Sequence, residues 1–112
     1  MASNFKNAGM ICSMVDNSTA DVYTCPAAPA TSRAVLHAVY LSNTSLTSVA
    51  NCDIKVTVDG GTTFRHIGKS LEVAAQNTLI LDKPVNLEAS DIIRVVADVT
   101  HLEVFLSILE VT

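Results

Sequence analysis

Charge is scarce in this chain. Only 16% of its 112 residues are Asp, Glu, Lys or Arg, against about 25% in an ordinary soluble domain. Basic residues are scarcer still: 7 Lys and Arg stand against 11 Asp and Glu, for a net charge of −4. That balance argues against nucleic-acid binding, which needs a surplus of cations facing phosphates. Aromatic residues are few as well, namely Phe5, Tyr23, Tyr40, Phe64 and Phe105. Such a set is thin for stacking sugars or single-stranded nucleic acid. No apolar run approaches the ~20 residues of a membrane span. The opening Met1-Ala2-Ser3-Asn4-Phe5-Lys6-Asn7 has no hydrophobic signal core, so export by a signal peptide is not expected. The glycosylation sequons at Asn17-Ser18-Thr19 and Asn43-Thr44-Ser45 then read as coincidental. What the chain does have is apolar content, 49% of residues, which excludes intrinsic disorder. A chain of this length folds as one domain. High apolar content with little charge implies a surface partly covered by partners, either in a homo-oligomer or in a larger assembly.

The cysteines, Cys12, Cys25 and Cys52, are odd in number, and none stands in a close pair of the kind zinc requires. They read as small buried hydrophobes in a reducing compartment. A Cys12–Cys25 cross-link, within or between subunits, is the alternative; it needs Cα atoms within about 7 Å.

Residues 1–20 read as an N-terminal arm or edge strand, with an apolar patch at Met10, Ile11, Cys12, Met14 and Val15. The patch is too short to make a core of its own. It is expected to pack on a sandwich edge or on a neighbouring subunit, and deleting it is expected to leave the rest folded. Residues 21–112 read as the sandwich domain. Arg33 to Ser42 is apolar on both faces, so cover on both sides is expected. Cys52, Ile54, Val56 and Val58 alternate with Asp53, Lys55 and Thr57, the period of a half-buried strand. Asp59-Gly60-Gly61 supplies a hairpin turn, and Gly68-Lys69-Ser70 reads as another turn. Leu71 to Ala75 reads as a strand. Ile93 and Val95, and then Val104, Leu106 and Ile108, continue the core-facing rows. About eight short strands and no helix imply an all-β antiparallel β-sandwich, immunoglobulin-like or jelly-roll; a closed barrel is the second choice.

No catalytic, cofactor-binding or metal site emerges from the spacing. His37, His66 and His101 fall on or beside different strands, and His37 reads as a core or interface residue. Glu88 and Asp91 share a corner but supply too few oxygens for calcium. Asp91 there reads as a turn organiser through its own backbone. Gly60-Gly61 opens no helix and lacks the phosphate-loop pattern. A non-enzymatic protein without cofactor is the expectation.

Several phrases, in order, carry a resemblance. They are Met1-Ala2-Ser3-Asn4-Phe5-Lys6-Asn7; Val22-Tyr23-Thr24-Cys25-Pro26-Ala27; Lys55-Val56-Thr57-Val58-Asp59-Gly60-Gly61-Thr62-Thr63-Phe64; Val85-Asn86-Leu87-Glu88-Ala89-Ser90-Asp91-Ile92-Ile93-Arg94-Val95; and Val104-Phe105-Leu106-Ser107-Ile108-Leu109-Glu110-Val111-Thr112. Together they resemble the small β-sandwich virion proteins of tailed bacteriophages. Ser90 stands where that group usually has glycine, and the cysteines are not part of its pattern. The resemblance implies a structural protein of the virion, assembled in the host cytoplasm. Its expected partners are the major capsid protein or other virion proteins. A capsid decoration (cement) protein is favoured over a neck or tail component, and a glycan-binding module is a more distant alternative.

Overall fold

The computed structural model describes residues 3–60 and 62–112. Met1, Ala2 and Gly61 of the expected arm and hairpin lie outside the described residues. Nine strands follow one another: β1 (Ser3–Ile11), β2 (Asp21–Thr24), β3 (Arg33–Asn43), β4 (Ala50–Thr57), β5 (Phe64–Val73), β6 (Thr78–Leu81), β7 (Val85–Glu88), β8 (Ile92–Ala97) and β9 (Leu102–Val111). One sheet has the order β1-β9-β3, with β6 and β7 laid end to end along the far side of β3. The other has the order β2-β8-β4-β5. All pairings between the named strands are antiparallel. The protein is therefore an all-β sandwich, and its strands alternate between sheets in the order of a jelly roll rather than of an immunoglobulin domain.

The core lies where the alternating rows meet. Leu102, Val104, Leu106 and Ile108 of β9, Cys52, Ile54 and Val56 of β4, and Ile93 and Val95 of β8 are all buried. Val58 is the exception to the expected row: it is 60% exposed, because β4 ends at Thr57 and the chain has already turned outward.

One other expectation is corrected and a second is narrowed. The chain does not turn at Gly68-Lys69-Ser70; β5 runs straight through. Its pairing with β4 shifts register between Cys52 and Ile54 and again between Ile54 and Lys55. Ser70 takes a left-handed φ of 51° there, and its N–H donates to Asp53 Oδ1 at 2.7 Å. Turn-like residues inside a strand thus mark a bulge, which absorbs the extra residue without ending the ladder.

The second concerns residues 1–20, for which an arm and an edge strand were the alternatives; the structure has the edge strand. Ser3 to Ile11 pairs with β9 along its whole length, from Ser3 opposite Val111 to Ile11 opposite Glu103. Cys12 and Ala20 are buried. Ser13 then bridges to Val96 on the opposite sheet, and Asp16 pairs with Lys55 and Arg94. The segment is an edge strand followed by a strap joining the sheets.

Two outcomes follow from this packing. Leu106→Ala should lower stability by about 2–5 kcal/mol, as core truncations do, whereas Val58→Ala should stay within about 0.5 kcal/mol; urea unfolding midpoints compare them. Removing residues 1–20 should abolish cooperative unfolding, because β9 loses a partner strand and the core loses Cys12 and Ala20. A sharp thermal transition in the truncated chain, followed by circular dichroism, would show the strap to be dispensable.

Candidate functional site

The sandwich leaves one sheet face open. Each strand of the five-stranded sheet sends alternate residues into the core, and the intervening residues point the other way. The cross-strand register arranges these outward residues in rows. Gly9, Phe105, Tyr40 and Ile80 form one row; Asn7, Ser107 and Ala38 form the next; Phe5, Leu109, Val35 and Asn86 form a third. Ile11, Glu103, Ser42 and Thr78 close one end of the face, and Ser3, Val111, Arg33 and Glu88 close the other. Along β1, β9 and β3 the middle of the face carries no carboxylate, lysine or arginine, though Asn7 and Ser107 lie within it and the exposed Asp82 and Lys83 stand beside it between β6 and β7; its ends hold Glu103, Arg33 and Glu88.

Exposure is high for side chains of this type. Phe5 is 85% exposed, Ile80 51%, Phe105 46% and Tyr40 37%. The Tyr40 and Phe105 rings meet edge to face, with centroids 6.0 Å apart and planes at 62°, the arrangement favoured by the ring quadrupoles. Next to them Met10, Ile11, Tyr40, Glu103 and Phe105 line a hollow of about 350 Å³. Arg33 was expected to begin a strand covered on both faces. Its inner residues Ala34, Leu36, Val39 and Leu41 are buried, but Val35 is half-exposed and His37 and Tyr40 are exposed. His37 is therefore not a core residue; it stands at the bulge where the β3–β9 register shifts between Leu36 and Ala38.

The structure does not gather the expected interface patch. Cys12 is in the core and Met10 packs against it, while Ile11, Met14 and Val15 are exposed. Ile11 lies on the open face; Met14 lies with Asn51, Asp53 and Asp98 on the side of the other sheet. The open face itself escaped the sequence reading, although the apolar outward row of β3 and the Phe105–Leu109 row of β9 were its signal.

The thiols of Cys12, Cys25 and Cys52 are free and buried. The Cys12–Cys25 bridge is not formed within the chain. Cys25 N–H donates to Asp91 O at one end of β8, whereas Ser13, next to Cys12, pairs with Val96 at the other. Those positions are roughly 16 Å apart at the rise of a strand, far beyond bridging range.

Among the described residues no group of three His, Cys, Asp or Glu side chains converges. His66 Nε2 lies 3.8 Å from Asp53, and His101 Nδ1 lies 2.7 Å from Asn43 Oδ1. The Asp91 carboxylate is occupied as a staple: it accepts from Glu88 N–H at 2.9 Å, Gly60 N–H at 3.1 Å and the Thr57 hydroxyl at 3.3 Å. On the opposite sheet Arg94 donates to Asp21 at 2.7 Å and to Asp16 at 3.2 Å, and stacks 4.0 Å from the Phe64 ring. Asp21 beside it raises the Arg94 pKa, and the hydrogen bond from Lys55 lowers that of Asp16. These charged groups are saturated by one another, while exposed Met14 lies on the same side of the molecule. Comparison with protein-family models, with curated proteins and with solved structures returned no match.

Burial favours the neutral thiol, pushing Cys12 up to about 12 and Cys52 up to about 11 from an ordinary value of 9.0. A pKa raised by folding means that this stability is fully present below the unfolded value and is lost as pH rises through the folded one. Unfolding midpoints should therefore fall between about pH 9 and 12. At pH 8 an aromatic disulfide reagent should label none of the three cysteines in the native chain and all three in guanidinium. Rapid native labelling of Cys12 would contradict its burial.

Proposed function

We propose that this chain is a non-enzymatic structural protein of a tailed-bacteriophage virion, acting as a capsid decoration protein. The observation that carries the reading is the open sheet face, centred on Tyr40 and Phe105. Contiguous apolar surface of this kind is costly to leave in water, at roughly 25 cal/mol per Å², and marks an interaction surface. The order of phrases along the sequence, which resembles small virion proteins, supplies the kind of assembly. The jelly roll is compatible with it, being a fold used in capsids, though equally one used by lectins. Cementing suits such a domain: a modest contact, repeated over every symmetry-related junction of a shell, sums to a large stabilisation. A neck or tail position is the alternative within the same class.

Co-expression with the major capsid protein of the same genome tests the reading. The chain should sediment with mature shells in many copies, and the loaded shells should withstand heating or chelation that opens bare ones. A chain that stays in the supernatant of shells, necks and tails alike would end the virion reading. Binding confined to necks or tails would move it to the alternative.

A further inference from the structure

We propose that the open sheet face is the interface between two copies of this chain, related by a two-fold axis that lies between the facing sheets and runs perpendicular to their strands. This rests on the same open face that carries the virion reading, and names a second copy of the chain, rather than the shell, as what covers it. The first argument is shape. About the row of Ser107 and Ala38, such an axis sets the row of Gly9, Phe105 and Tyr40 over the partner's row of Phe5, Leu109 and Val35. Gly9 contributes no side chain to its row, and a Cβ there would stand 3.0 Å from the Val104 carbonyl oxygen. The hollow of about 350 Å³ lies beside it. Phe5, at 85% exposure the most exposed large apolar residue among the described residues, is four residues away on the same strand. The two-fold operation brings the Phe5 of each copy to the hollow of the other. Isologous pairing of this kind is self-complementary, and each knob-and-hollow contact is made twice.

Charge gives the second argument. Glu103 and Arg33 are both exposed and stand at opposite ends of the face, roughly 26 Å apart at the strand rise. Antiparallel stacking places the Glu103 end of one copy on the Arg33 end of the other, at both ends of the interface. Arg33 already has Glu88 at 3.9 Å on its own chain, and its guanidinium has donors enough for a second carboxylate. A parallel stack would set Glu103 against Glu103. The third argument is size. Four strands' width and ten residues' length amount to roughly 600 Å² per copy, within the range of specific interfaces of about 600–1,000 Å² per partner. Sheets meeting face to face at a small angle are an ordinary packing for twisted sheets.

Sedimentation velocity of the full chain at micromolar concentration tests the pairing, with circular dichroism as a check on folding. The wild type should run as a dimer. Phe5→Ser and Glu103→Arg, both at exposed positions, should each weaken it by roughly tenfold or more, the range of central or charge-paired interface residues. The double variant Glu103→Arg/Arg33→Glu should bring the affinity back towards wild type, which a merely structural role for either residue would not do. A wild-type monomer, a closed trimer, or a dimer indifferent to Phe5→Ser and Glu103→Arg would each overturn the proposal; the last would point to pairing through the free edge of β1. A monomer that docks on capsid shells through Phe105 would also overturn it, giving the face to the shell while leaving the virion reading standing.

Discussion

The strict alternation of β9 is the constraint on which the rest of the molecule depends. Leu102, Val104, Leu106, Ile108 and Glu110 are buried, and the residues between them face outward. The strand sits between β1 and β3 and pairs with each over most of its length. It thus joins the two ends of the chain and sets the register of the whole five-stranded sheet. A slip of one residue would turn Phe105 and Leu109 inward and expose Leu106 and Ile108. One strand therefore decides both what fills the core and what lies on the open face.

How much of this was legible follows from where the information resides. β4, β8 and β9 could be read because their period-2 rows are local and their inner residues are uniformly apolar. β5 could not be read as one strand, since Gly68-Lys69-Ser70 has the composition of a turn. Its continuity depends on Asp53, which accepts from Ser70 across the sheet and is itself held as a carboxylate chiefly by that bond. Residues 1–20 were legible as an arm or an edge strand, but their partner was not. Ser3 meets Val111 at the far end of the chain, and no local pattern announces a partner so distant in sequence. The open face was half legible: the two apolar rows of β3 were visible, but cover on both sides was inferred where the single chain supplies only one. That mismatch points to the face.

Buried polar groups join the layers. The Tyr23 hydroxyl on β2 donates to the Glu110 carboxylate on β9, so the bond crosses from one sheet to the other. Burial, with that carboxylate beside it, raises the Tyr23 pKa and keeps the phenol a donor. Asp91 does similar work at the corner between β7 and β8, gathering the Glu88 and Gly60 amides and the Thr57 hydroxyl. Ser90 just before it adopts a φ of 69°, a left-handed conformation costing about 1–2 kcal/mol for a residue with a Cβ. The corner is held by Asp91 despite that cost.

The distribution of charge separates the two outer surfaces. On the four-stranded sheet, Asp16, Asp21, Lys55 and Arg94 neutralise one another and Arg94 covers Phe64. Those charged groups have little to gain from a partner, since they would have to be desolvated. On the five-stranded sheet the charged outward residues of β1, β9 and β3 stand at the ends, and the rows between them are mostly apolar, with Asn7 and Ser107 in the central one. Water there contacts apolar carbon that removal from solvent would stabilise. Glu103 at one end and the Arg33–Glu88 pair at the other make the two ends unlike, which favours one orientation of a partner over its reverse. Low overall charge is the compositional trace of this asymmetry: on one face the outward positions hold Phe5, Val35, Tyr40, Ile80, Phe105 and Leu109.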